Sequence, residues 1–274
     1  KDHFVAITHP GNGLLSELAE KEHMHVITHG DVGGRFAVLS TVGLVPAALI
    51  GIDIKKLIAG AKDMRDQFFT PDASKNLPYQ IAKIQYELSK KKKSITVMMP
   101  YAQKLLSFAD WYRQLLAESI GKELNDSGRK VNTGITPVKA LGTTDQHSQA
   151  QLYNEGPNDK LIMFIHVKQL YKKLQIPTIY KKYKQLAYLQ GASFNDLMDA
   201  EREGTVTALT KRDRPNMTIT IDKIDEYHMG ALFMLFEGSV ALLGEMYNIN
   251  AFNQPGVELA KRLTVKNLGR MRKK

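Results

Sequence analysis

The chain is 274 residues long and contains no cysteine, which excludes a disulfide scaffold, thiolate catalysis and cysteine-ligated zinc or iron–sulfur centres, and points to an intracellular setting. Hydrophobic residues at 43% and charged residues at 24% describe an ordinary globular chain able to build a substantial core. Lys+Arg 38 against Asp+Glu 28 leaves +10, a surplus that suits nucleic acid, a membrane surface or an acidic substrate.

The first residues, Phe4 to Thr8, read as a buried strand rather than a targeting segment, and His25 to Thr28 as a second strand. The amphipathic stretch Leu14 to Glu22 between them completes a βαβ unit. An apolar helix is expected over Val38 to Ile50, closed by Gly51, and another over Asp53 to Phe69. Thr70 to Asn76, with Pro71, Asp72 and Ser74, is the best place for a domain boundary. The pattern then restarts with a helix from Tyr79 to Ser89, the Lys90 to Lys93 run, a strand from Ser94 to Pro100 and a helix from Gln103 to Gly121. After a loop rich in Asn, Asp, Ser and Gly come a helix over Thr143 to Asn154, a strand over Leu161 to Val167 and a helix over Ser193 to Thr207. A strand over Met217 to Ile221, a long helix over Tyr227 to Tyr247 and a last helix from Pro255 close the chain. Glu237 and Glu245 interrupt the apolar run from Met229 to Tyr247, so it reads as a core helix and not a membrane span. The alternation predicts an α/β fold, a mainly parallel sheet with helices on both faces, whose ligands bind at strand carboxyl ends and helix N-termini.

Four constellations are candidates for chemistry. Gly33-Gly34-Arg35-Phe36 is either a tight turn or an anion-binding loop with a permanent cation at a helix start. On the Gln103 to Gly121 helix, Leu105, Phe108, Ala109, Tyr112, Leu115 and Leu116 form the core stripe, while Gln114 and Glu118 share the opposite face beside Trp111. That face is either solvated or, if another element covers the indole, the wall of a cleft with a carboxylate suited to general base work. Thr143 with Gln146 fits a capping box, placing His147 in a first helical turn, where it either packs or exchanges a proton with a hydroxyl. In Phe252 to Lys261, Asn253 or Gln254 caps a helix begun by Pro255, and Lys261 returns to the side of Gln254 two turns on or pairs with Glu258.

At these four places together the sequence resembles the phosphoglucose isomerase family. Gly33 to Phe36 and Phe252 to Lys261 are similar to its two signature segments, and Ala117-Glu118-Ser119-Ile120-Gly121-Lys122 and Thr144-Asp145-Gln146-His147-Ser148 to segments between them, in the family's order. The resemblance implies a sugar-isomerase (SIS) fold of three αβα layers and a homodimer. It also implies a cytoplasmic activity of glycolysis and gluconeogenesis, the interconversion of glucose 6-phosphate and fructose 6-phosphate, with neither metal nor organic cofactor. By position, Glu118 is then the base that moves a proton between C2 and C1, and Arg35 stabilises the cis-enediolate. Gln114, Gln254 and Gly34 bind substrate, and His147, contributed to the partner's site, opens the ring together with Lys261.

Two departures stand out. Ala37 occupies a place where the family signature carries Ser or Thr, and the family's Gly-rich and Ser/Thr-rich phosphate loops have no counterpart upstream of Arg35. The expectation is therefore one complete domain, 76–274, preceded by the end of another, 1–75, in a chain that isomerises poorly without its phosphate anchor. Two other readings remain. One is a sugar-phosphate-binding regulator of the same fold, against which the joint presence of Glu118, Arg35, His147 and Lys261 counts. The other is nucleic-acid binding through Leu161 to Gln190, where Lys168, Lys172, Lys173, Lys181, Lys182 and Lys184 interleave with Tyr171, Tyr180 and Tyr183 without an acid.

Overall fold

The computed structural model describes residues 3–11, 13–170, 172–179 and 182–271. Strands β1 (Val5–Thr8) and β2 (His25–Thr28) pair in parallel, connected through helix α1 (Leu14–Lys21). The βαβ unit forms as expected, but β1 is not a buried strand. Its sheet has only two strands, so Val5 is exposed and Ala6 alone is buried. A 3-10 turn, Gly34–Phe36, leads to α2 (Thr41–Leu49), capped by Ser40, and Asp53 caps α3 (Ile54–Phe68) by accepting from the Lys55 and Lys56 N–H groups.

Helix α4 (Leu77–Lys90), capped by Asn76, opens the main layered body. It is followed by β3 (Ile95–Pro100), a 3-10 turn Gln103–Leu105, and α5 (Leu106–Ile120). Then come an antiparallel pair, β4 (Lys122–Leu124) and β5 (Lys130–Thr133), and β6 (Thr136–Lys139). The alternation resumes with α6 (Thr144–Glu155), β7 (Lys160–Gln169), α7 (Phe194–Lys211), β8 (Asn216–Lys223) and α8 (Glu226–Tyr247). A 3-10 turn, Pro255–Val257, precedes α9 (Glu258–Met271). Strands β6, β3, β7 and β8, in that order, make a four-stranded parallel sheet.

Pleating sends successive side chains of the central strands to opposite faces, and both faces are covered. Met98, Leu161, Met163 and Ile165 meet the buried faces of α4, α5 and α8, through Ile81, Phe108, Tyr112, Leu115, Leu235 and Phe236. Val97, Met99, Ile162 and Phe164 meet Tyr153 of α6 and Leu209 of α7. The result is the αβα sandwich expected from the sequence. Each large apolar side chain withdrawn completely from water stabilises the fold by about 1.5–3 kcal/mol.

Helix α8 is apolar on nearly every side because α3, α4 and α5 all pack against it, which makes it a core element despite a length and hydropathy sufficient to cross a membrane. Its backbone touches that of α3. A side chain at Gly230 would lie 1.8 Å from the Leu57 carbonyl oxygen, and one at Gly60 would lie 1.8 Å from that of Tyr227.

Residues 122–142, read from the sequence as a loop, contain three short strands. The edge strand β6 is masked by its Pro137, a residue tolerated only where one side of a strand lacks a partner. In the basic stretch, Lys168 pairs with Asp222 at 2.8 Å and Lys173 lies 3.9 Å from Asp196, so both carry local acidic partners. Tyr171, Tyr180 and Lys181 lie outside the described residues.

Candidate active site

Arg35 lies at the centre of the site. The turn Gly34–Phe36 drives its side chain under α5 and the segment after α8, where Arg35 is 4% exposed. Its Nε donates to Ser119 Oγ at 2.7 Å, Nη1 to Gln254 Oε1 at 2.7 Å, and Nη2 to the carbonyl oxygens of Ala251 at 2.6 Å and Asn253 at 3.0 Å. A guanidinium has five N–H groups, so one remains. It belongs to Nη1, which is 4.0 Å from Glu118 Oε1. Burial pulls Arg35 below the ordinary arginine value, and the Glu118 charge works against that shift.

Glu118 stands on the last turn of α5, partly open to solvent, and its Oε2 accepts from Gln114 Nε2 at 3.2 Å, the i,i+4 pair expected from the sequence. The cover that Trp111 required is α8, whose Phe233 meets the indole edge-on at 4.9 Å while Phe108 lies 5.3 Å away within α5. Below the carboxylate, Lys122 is buried and its Nζ donates to the Glu118 carbonyl at 2.9 Å and the Ser119 carbonyl at 2.7 Å. Burial and the nearby Arg35 charge pull Lys122 down to about 8, against the opposing pull of Glu118. Phe252 packs on Phe36 with ring centroids 5.1 Å apart, closing the hydrophobic side of the arginine.

Arg35, Gln114, Glu118 and Gln254 are thus brought together from separate parts of the chain, with Gly34 exposed beside them. Gln254 does not cap the turn that follows it, because its side-chain oxygen is committed to Arg35. His147 and Lys261 do not join the cluster. His147 is exposed on the first turn of α6, and Lys261 donates to Glu258 at 2.7 Å on the surface of α9. The capping box anticipated at Thr143 is not made either. Gln146 Nε2 instead shares its two N–H groups among the Glu201 carbonyl at 3.0 Å, the Thr205 hydroxyl at 2.6 Å and the Tyr101 hydroxyl at 2.5 Å, tying α6 to α7. Ser119 and Lys122 were not singled out from the sequence. Ser119 had a signal: it continues the apolar stripe of α5 as its polar member, and a buried hydroxyl demands a partner.

A family model described as phosphoglucose isomerase matches residues 1–273. The chain belongs to the phosphoglucose isomerase family. Among curated members it is 44% identical over 270 residues to a glucose-6-phosphate isomerase of Carboxydothermus hydrogenoformans, covering 98% of this chain and 58% of that one. It is 40% identical to a probable glucose-6-phosphate isomerase of Methanococcus maripaludis, covering 95% and 56%. The chain therefore spans less than two thirds of the length of these relatives. A crystal structure of a glucose-6-phosphate isomerase from Chlamydia trachomatis superposes with a TM-score of 0.83 at 25% identity, covering 98% of this chain and 53% of the other. A hypothetical protein from Thermus thermophilus superposes with a TM-score of 0.89 at 35% identity, covering 97% and 63%.

Proposed function

We propose that the protein interconverts glucose 6-phosphate and fructose 6-phosphate through a cis-enediolate. The observation that carries this reading is the pairing of a fixed cation with a base. Four hydrogen bonds hold Arg35 so that its one remaining N–H lies on the nitrogen nearest the Glu118 carboxylate. Glu118 takes the C2 proton of the open-chain aldose, and the electron pair left behind forms the C1–C2 double bond as O1 gains charge and then a proton. The proton held by Glu118 returns to C1 while O2 releases its own, leaving a ketone at C2. Arg35 needs no reorganisation to meet the charge that develops on the oxygens, which is where a pre-formed donor is most effective. Gln114 and Gln254 hold substrate hydroxyls at the rim.

His147 and Lys261 open the sugar ring in this reading, and the exposure of His147, which makes no hydrogen bond to the cluster of its own chain among the described residues, supports a homodimer in which it serves the partner's site. We place the end of a first SIS domain at 1–75 and a second at 76–274, in a cytoplasmic enzyme of carbohydrate metabolism. The test is Glu118→Gln, assayed in the 274-residue chain and in that chain joined to the part of the Carboxydothermus relative outside the match. Solvent exchange of the C2 proton should collapse while sugar phosphate still binds. Exchange near the unsubstituted rate would remove Glu118 from its role.

A further inference from the structure

One cavity among the described residues lies apart from the Arg35 site. It has a volume of about 620 Å³, and none of Arg35, Gln114, Glu118 or Gln254 touches it. It opens where α5 begins, whereas Glu118 stands where α5 ends, so the two places are roughly 20 Å apart at about 1.5 Å per helical residue.

Its position follows from the sheet. The lining comes from the segments that leave the carboxyl ends of β3, β6, β7 and β8, the edge at which parallel sheets place ligands. The turn into α5 and the first turn of α6 both begin here, presenting the positive ends of two helices. Lys104 and Lys223 are its charged lining residues, and among the described residues no carboxylate lines it. Lys223 is held by Asp225 at 3.1 Å, and Asp225 is itself occupied by capping α8 and pairing with His228 at 2.6 Å. Thr143 makes no capping bond with its hydroxyl, and it too lines the cavity. Leu170, Met198 and Ile224 supply an apolar wall. A volume of this size lies within the range of about 300–1,000 Å³ typical of small-molecule sites.

We infer that this cavity is a second binding site, for a phosphate monoester whose anionic end meets Lys223 and the start of α6 and whose carbon body lies against Met198 and Leu170. The inference uses no residue of the Arg35 cluster, but the α6 turn it invokes also carries His147, so the concentration series below separates it from the homodimer of the proposed function.

The test reads the methyl resonance of Met198 in protein labelled at its methionine methyl groups, assigned with Met198→Leu, during titration with glycerol 3-phosphate and, in parallel, inorganic phosphate. Lys223→Gln alters an exposed side chain, and Met64, buried in α3, serves as the unmoved reference. The ester should shift Met198 but not Met64, with an affinity roughly tenfold above that of inorganic phosphate and a loss of roughly tenfold in Lys223→Gln. Equal response to inorganic phosphate would leave a bare anion site and overturn the ester assignment. A silent Met198, or a shift untouched by Lys223→Gln, would overturn the site itself. So would the same Met198 shift appearing on protein concentration alone, since the cavity would then be a seam between two copies.

Discussion

Replacing Glu237 by Gln probes a carboxyl set into the core side of α8. Glu237 follows the fully buried Phe236 on α8, and its Oε1 is buried with no hydrogen-bond partner among the described residues. Burial alone pushes this carboxyl up to about 8 from 4.5. Between those two values the folded chain keeps a proton that the unfolded chain has released, so stability falls as pH rises through the window and levels off above about 8. At pH 7 the gap is 7 − 4.5 = 2.5 units, which at 1.36 kcal/mol per unit amounts to ~3 kcal/mol. A Gln side chain is close in shape to the protonated acid and has no charge to desolvate. The variant should therefore match the parent near pH 4, where both states hold the proton, and exceed it by up to ~3 kcal/mol at pH 7. Urea midpoints at the two pH values, with the slope checked for constancy, measure the difference. A gain of equal size at both pH values would refute the titration argument. A loss at pH 7 would show a carboxylate that is ionised and paired.

Arg35→Lys should lower stability by about 2–4 kcal/mol in urea unfolding, because an ammonium cannot reach Ser119, Gln254 and the two carbonyls at once and leaves buried acceptors unmet. Activity should fall further than Ser119→Ala reduces it, and parity between the two variants would count against Arg35 as the oxyanion donor. His147→Ala alters an exposed side chain, so its unfolding midpoint should stay within about 0.5 kcal/mol of the parent while turnover of the closed-ring sugar is lost. Mixing Glu118→Gln and His147→Ala chains should restore turnover, since a mixed dimer has one site with both residues intact. Mixtures no more active than either variant alone would argue against a site shared between subunits.

Much of the fold was legible because helical and strand periodicities agree with it. The α5 stripe from Leu105 to Leu116 is buried as read, and the two faces of β3 and β7 sort into two core clusters. Legibility failed where local signals are short or satisfied by distant partners. Strands β4 to β6 span three or four residues each, too few for alternation to register, and Pro137 disguises the edge strand. The Gln254 side chain looked like a helix cap because the sequence shows the turn beside it but not the arginine that takes its oxygen from 219 positions away. Thr143 and Gln146 repeat the lesson, as a pattern suited to a local cap is dissolved by contacts with Tyr101 and Thr205.

The candidate site divides along the same line. Arg35 and Glu118 could be paired by a family resemblance, yet the geometry that fixes Arg35 beside Glu118 depends on main-chain carbonyls at 251 and 253, groups that every residue type carries and no motif can single out. His147 and Lys261 present the opposite problem. Each is exposed, and among the described residues Lys261 is engaged with its neighbour Glu258, so in one chain they are indistinguishable from ordinary surface residues. If His147 acts on a second copy, its exposure is a requirement rather than an objection, since a side chain buried in its own subunit cannot enter another's site. The mixed-chain experiment is therefore the sharper test: it asks where His147 acts, whereas single substitutions ask only whether it does.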